Sequence, residues 1–161
     1  MTSTTINQDS LANLFTGRLK IYFELVKFRL TSLVAFSSGF GYILGARDSF
    51  SWSVFFWLCI GGMLVSGAAI TLNQIFEKEF DRLMKRTQNR PLPTGRISTQ
   101  EAYIFAFFSA LCGFVLLIAF TNFLTLLLSV ASAVLYSFVY TPLKRVGPIS
   151  VFVGAIPGAL P

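Results

Sequence analysis

WSVFFWLCIGGMLVSGAAITLNQIFEKEFD, residues 52–81, decides the fold. Its first 25 residues carry no charge, more than the roughly 20 a helix needs to cross about 30 Å of hydrocarbon. Charge then arrives abruptly with Glu77, Lys78, Glu79, Asp81 and Arg82. Similar apolar runs occupy residues 30–46, 102–121 and 123–140, and a fifth begins at Ile149 and reaches Pro161. Of the 161 residues, 54% are hydrophobic, 12% are charged and 18 are Phe. That composition excludes an ordinary soluble domain. The expectation is an all-α, polytopic transmembrane helix bundle with four spans and part of a fifth. Because the fifth run stops partway, residues 1–161 are expected to form the N-terminal portion of one membrane domain. Residues 1–29 would be a cytoplasmic or interfacial segment, and residues 77–101 a cytoplasmic loop.

The net charge of +6 is not a nucleic-acid signal, because the basic residues fall on one side of the spans. With the N-terminus in the cytoplasm, Arg18, Lys20, Lys27, Arg29, Lys78, Arg82, Lys85, Arg86, Arg90, Arg96, Lys144 and Arg145 are cytoplasmic, and only Arg47 is outside. Lys and Arg resist translocation, so this split predicts an N-terminus-in, multi-pass protein. The first ten residues lack a basic start and a short apolar core, so no signal peptide is read there. Leu11, Leu14, Phe15, Leu19, Tyr22, Phe23 and Val26 recur at helical spacing around Arg18 and Lys20, as in a helix lying along a membrane surface; an extension of the first span is an equal alternative. Cys59 and Cys112 have no CxxC partner, and the chain contains no His. Neither cysteine is read as a disulfide or a metal ligand. Gly41-x3-Gly45, Gly62-x3-Ser66 and Gly154-x3-Gly158 suit close helix packing.

At the end of the second run Asn73, Glu77 and Asp81 are spaced by four, so on a helix they share one face, drifting about 40° per step. Glu79 projects elsewhere. Two carboxylates and an amide at a membrane boundary make an oxygen-donor set for Mg²⁺, which takes few carboxylates and shares its shell with water and phosphate. Lys85, Arg86 and Arg90 follow, and cations of this kind hold phosphates by charge-assisted bonds. The pattern reads as a metal–diphosphate site. The same charges also suit a solvated loop, and Asn73 also suits an interhelical hydrogen bond.

The block from Asn73 through Glu77, Asp81, Lys85, Arg86, Thr87, Arg90, Pro91 and Leu92 to Pro93, Gly95 and Arg96 resembles the first acidic motif of the UbiA-type intramembrane prenyltransferases, in particular the haem-modifying branch with its MKRTxxRPLPxGR segment. Lys27-Phe28-Arg29 is similar to that family's Lys-Pro-Arg. Tyr140-Thr141-Pro142-Leu143-Lys144-Arg145, leading to residues 154–161, also agrees. Two positions depart: Glu77 stands where Asp is usual, and Phe28 where Pro is usual.

The resemblance implies a Mg²⁺-dependent prenyl transfer from farnesyl diphosphate to haem B, the haem being substrate rather than cofactor. Asn73, Glu77 and Asp81 would hold the metal. Lys85, Arg86, Arg90, Lys144, Lys27 and Arg29 would bind the diphosphate, and Tyr140 and Thr141 would orient a substrate or anchor the helix at the interface. It further implies a bacterial inner-membrane setting, contact with the lipid bilayer and with haem-handling or oxidase-assembly membrane proteins, and a second acidic motif later in the domain, without which these residues are catalytically incomplete. A related enzyme with an aromatic quinone precursor as acceptor is the nearest alternative. A transporter fragment would explain the spans but not the alignment of Asn73, Glu77 and Asp81.

Overall fold

The computed structural model describes residues 8–144, 147 and 149–159, without the side chains of residues 8–15 and 48. Leu11, Leu14 and Phe15 therefore lie outside the described side chains, and Arg145, Leu160 and Pro161 outside the described residues. Among the described residues every regular element is helical. In chain order they are α1 (Gln8–Leu25), α2 (Phe28–Ala46), a 3₁₀ turn (Arg47–Ser49), α3 (Trp52–Leu83), α4 (Thr99–Phe120), α5 (Phe123–Val134), a π-helical segment (Leu135–Tyr140), a single turn α6 (Thr141–Leu143) and α7 (Ile149–Ala159). Three stretches are long and apolar enough to cross a membrane: Trp52–Leu83, Thr99–Phe120 and Phe123–Leu143. The protein is an all-α, multi-pass membrane protein. α2 has 19 residues and carries Arg29, Thr31, Ser32, Ser37, Ser38 and three glycines among its apolar side chains.

α3 is the central element, packed chiefly against α4 and then α2. Small residues set the distance, though mostly not those the xxx-spacings suggest. A Cβ on Gly113 would lie 2.7 Å from Val65 Cγ2 and 2.9 Å from the Gly61 carbonyl oxygen. A Cβ on Gly61 would lie 2.9 Å from the Leu117 side chain. The α3–α4 contact is thus backbone against backbone. On α2, a Cβ on Gly39 would lie 2.8 Å from Cys59 Sγ and from the Phe55 ring, so there the backbone meets side chains of α3. Gly41, Gly45 and Gly158 face open space, whereas Gly154 abuts the Tyr140 ring. The hydroxyl of Ser109 donates to Leu64 O across α4 and α3 at 3.0 Å, an interhelical bond of the kind favoured where no water competes.

Residues 77–101, expected as one loop, begin as two further turns of α3, which runs to Leu83. The remainder carries an exposed outer side but is pinned inward by Thr87, Pro91, Leu92, Pro93 and Ile97, which are buried. Leu92 and Ile97 join Leu25, Ile75 and Ala102 in a buried cluster, and Pro91 is fully enclosed. The turn that returns the chain needs Gly95 in the left-handed region, φ 72°. Ser98 then caps α4, its Oγ accepting from Glu101 N at 3.1 Å. α1 is fixed to this layer by Arg18–Glu101 at 2.7 Å and Glu24–Arg96 at 2.8 Å, and by the Gln74 side-chain amide, which donates to Leu25 O. The described basic residues other than Arg47 so gather at one end of the bundle, while Arg47 lies at the other, in the turn between α2 and α3, where the rings of Tyr42, Phe50, Trp52 and Phe55 pack together.

Candidate active site at the charged end of the bundle

Continuation of α3 past residue 76 carries Asn73, Glu77 and Asp81 along one inward face. They are 4%, 8% and 3% exposed. Glu79 is outside that face, exposed and paired with Arg82 at 3.0 Å. Carboxylates this deeply covered need partners, and the chain supplies them from distant segments. Arg90 Nη1 meets Asp81 Oδ2 at 2.6 Å, and Lys144 Nζ meets Glu77 Oε1 at 3.2 Å. The first pair depends on the loop: Thr87 Oγ1 donates to Asp81 O at 3.1 Å, which curls residues 84–90 back over the end of α3. The second depends on α5, whose continuation brings Lys144 across.

Asn73 Nδ2 donates to Thr141 Oγ1 at 2.8 Å, and that hydroxyl donates in turn to Tyr136 O at 2.9 Å. The amide nitrogen is thereby committed, leaving the amide oxygen as the Asn73 atom suited to a cation. Thr141, 1% exposed, is engaged with Asn73. Tyr140 is half-buried and stacks on Tyr136, ring centroids 5.5 Å apart and planes at 25°.

Lys27 completes the cluster. It occupies the corner between α1 and α2 in a left-handed conformation, φ 48°, a strained position for a side chain other than Gly. Burial and then the nearby Arg90 push its pKa below the ordinary lysine value, while Asp81 and Glu77 pull it back up. Among the described residues it has no carboxylate of its own: the Glu77 and Asp81 ion pairs are made with Lys144 and Arg90. Three cations therefore face two carboxylates, an excess of one positive charge.

Lys85 and Arg86 are exposed and form no ion pair among the described residues, and Arg29 lies on the outer side of the α1–α2 corner with Lys20, Phe23 and Phe28. Of the residues singled out in the sequence, the fold brings Asn73, Glu77, Asp81, Arg90, Lys144, Thr141, Tyr140 and Lys27 together. It leaves Lys85, Arg86 and Arg29 at the surface. Tyr136 was not singled out; its spacing of four from Tyr140 was the available signal.

Two carboxylates and an amide oxygen are donor types that Mg²⁺ takes; no group of three or more His, Cys, Asp or Glu suited to a metal occurs among the described residues, and both carboxylates are engaged by Arg90 and Lys144. Below the cluster, between α2, α3, α5 and α7, lies a largely apolar cavity of about 190 Å³ lined by Val34, Val65, Ala69, Ile70 and Tyr136 among others. A second, of about 280 Å³, continues from Val34, Val65, Ser66 and Ser132 toward Tyr42.

A buried acidic helix end, cations from three segments and a largely apolar cavity beneath them mark the charged end of the bundle as the candidate site. The chain belongs to the UbiA prenyltransferase family, whose model matches residues 33–161. It is 50% identical over 145 residues to the protoheme IX farnesyltransferase of Cytophaga hutchinsonii, covering 90% of this chain and 51% of the relative. It is 45% identical over 153 residues to the mitochondrial protoheme IX farnesyltransferase of Arabidopsis thaliana, covering 94% of this chain and 36% of the relative. The Flavobacterium johnsoniae protein of the same name is 46% identical over 140 residues, covering 86% and 46%. The chain spans about half the length of the bacterial relatives, and no solved structure matches it.

Proposed function

We propose that the chain supplies the diphosphate-binding part of an enzyme that transfers a farnesyl group from farnesyl diphosphate to a vinyl group of haem B, giving haem O for terminal oxidases. One observation carries the diphosphate reading: Lys27, Arg90 and Lys144 outnumber Glu77 and Asp81, and Lys27 is held half-buried without a carboxylate partner among the described residues. Such a cation is poised for an anion that arrives from solution or membrane. The names of the relatives supply the farnesyl and haem parts of the reading.

In this mechanism Mg²⁺, bound by Asn73, Glu77 and Asp81, would neutralise charge on the diphosphate. Arg90 and Lys144 exchange their carboxylate partners for phosphate oxygens, and Lys27 takes a third. These cations stabilise the charge that grows as the C–O bond breaks and its electron pair leaves with the diphosphate. The apolar cavity holds the hydrocarbon tail and excludes water from the allylic cation. The vinyl π electrons form the new C–C bond, and addition of water with loss of a proton discharges the acceptor. Thr141 keeps the Asn73 amide oriented throughout.

We further place the chain as the N-terminal portion of one membrane domain in a bacterial inner membrane, N-terminus in the cytoplasm, with a second acidic cluster completing the site and haem-handling or oxidase-assembly membrane proteins as partners. The one-sided distribution of basic residues supports the orientation. The test is the full-length protein in lipid with Mg²⁺, farnesyl diphosphate and haem B. Metal-dependent formation of haem O is expected. Pyrophosphate release only with an aromatic quinone precursor in place of haem would refute the acceptor, and no release with either would refute the enzyme.

A further inference from the structure

α5 does not continue as a regular helix toward the charged end. Residues Leu135–Tyr140 form a π-helical segment, a widened turn that costs regular hydrogen bonding and recurs at functional sites. The widening is anchored on both sides. Ser137 donates to Ala69 O of α3 at 3.5 Å, and Phe138 packs on Phe76 at 5.7 Å between ring centroids. Thr141 spans the turn from Asn73 to Tyr136 O. The turn thus seats Tyr136 where two environments meet. It lines the apolar cavity alongside Val65, Ile70 and Gly154, yet its carbonyl is tied through the Thr141 hydroxyl to Asn73 on the acidic face of α3. Tyr140, stacked on it, is itself backed by Gly154, where a Cβ would come within 2.6 Å of the Tyr140 ring.

We propose that Tyr136 is a catalytic residue whose ring face, stiffened by Tyr140, stabilises the positive charge that develops on the allylic carbon. This rests on the prenyl-transfer reading and adds a residue to it. The reacting carbon must sit where the charged head of the substrate passes into its apolar tail, and Tyr136 is the aromatic residue lining the cavity at that junction. When the C–O bond breaks, the diphosphate takes the electron pair and the allyl group keeps the positive charge until the acceptor's π pair forms the C–C bond. A ring face attracts such a cation electrostatically, more so in a water-poor pocket. The ring forms no bond and is unchanged at the end.

The test uses the full-length enzyme in lipid, with pyrophosphate release and haem O formation both followed. Tyr136→Phe is expected to keep kcat within about twofold, because the π face survives. Tyr136→Leu is expected to lower kcat by about 30-fold with little change in KM, since only the transition state carries the charge. Mono-, di- and trifluorinated phenylalanines at position 136 keep the shape and drain charge from the face, so kcat should fall stepwise. A Leu variant with the activity of the unmodified enzyme, or a flat fluorine series, overturns the proposal; the series decides it even if the Leu variant fails to fold. Pyrophosphate release without haem O refutes the haem acceptor alone, and the same series still reads Tyr136. No release from the unmodified enzyme refutes the prenyl-transfer reading and this role with it.

Discussion

At the residue scale, the site rests on two ion pairs, Asp81 with Arg90 at 2.6 Å and Glu77 with Lys144 at 3.2 Å. Asn73, Glu77 and Asp81 declare themselves by spacing, since a helix places every fourth residue on nearly the same face. Nothing local selects Arg90 over Arg86 for Asp81. That choice follows from Thr87 tying the loop to the end of α3 and from the burial of Pro91 and Leu92. Lys144 is 67 residues from Glu77, a separation across which periodicity carries no information. Lys27 yields a pH test. Its folded-state pKa is lowered chiefly by burial, so its charged form opposes folding, and that opposition is relieved as pH rises from the lowered value toward 10.5. Diphosphate affinity should fall in the same window, earlier than an ordinary lysine would allow. Lys27→Arg keeps its charge and should hold affinity constant between pH 7 and 10 when a non-hydrolysable farnesyl diphosphate analogue is titrated; an unchanged alkaline fall in that variant would remove Lys27 from the site.

At the element scale, hydropathy located α3, α4 and α5, but the extent of α3 depended on tertiary packing. Glu77, Lys78, Glu79, Asp81 and Arg82 look like the start of a loop. They remain helical because Glu77 and Asp81 find cations within the bundle and Lys78 donates to Thr99 Oγ1 at 3.0 Å. Small-residue spacing found Gly154 but missed Gly39, Gly61 and Gly113 for the same reason: which face meets a neighbour is set by the packing partner, not by the spacing. Gly113→Ala places a methyl group against Val65 and the Gly61 carbonyl, and is expected to cost about 1–3 kcal/mol, the usual range for overpacking, read as a clear loss of thermal stability in detergent. Gly45→Ala has nothing within 4 Å and should leave the melting temperature unchanged or slightly higher. The reverse order would mean that α3 and α4 do not meet as described.

At the scale of the whole molecule, the charge split and the fold agree: the acid cluster, the loop and α1 share one end, and Arg47 lies at the other. A membrane protein inserted with its basic end in the cytoplasm should expose residue 88 only there. In a background without Cys59 and Cys112, a cysteine at position 88 is expected to react with a membrane-impermeant reagent only after the cytoplasmic side is opened, and one at position 47 from outside. Labelling of position 88 from outside alone would invert the topology. The central claim is that this end binds diphosphate through a metal held by α3. It is tested most directly by measuring binding of a non-hydrolysable farnesyl diphosphate analogue to the full-length protein in lipid, with Mg²⁺ and with chelator, for the unmodified chain, Glu77→Gln and Asp81→Asn. The expected result is that Mg²⁺ tightens binding by at least about tenfold, a coupling of ~1.4 kcal/mol, in the unmodified chain and has no effect in either correctly inserted variant. Equal metal-dependent tightening in all three proteins would contradict it.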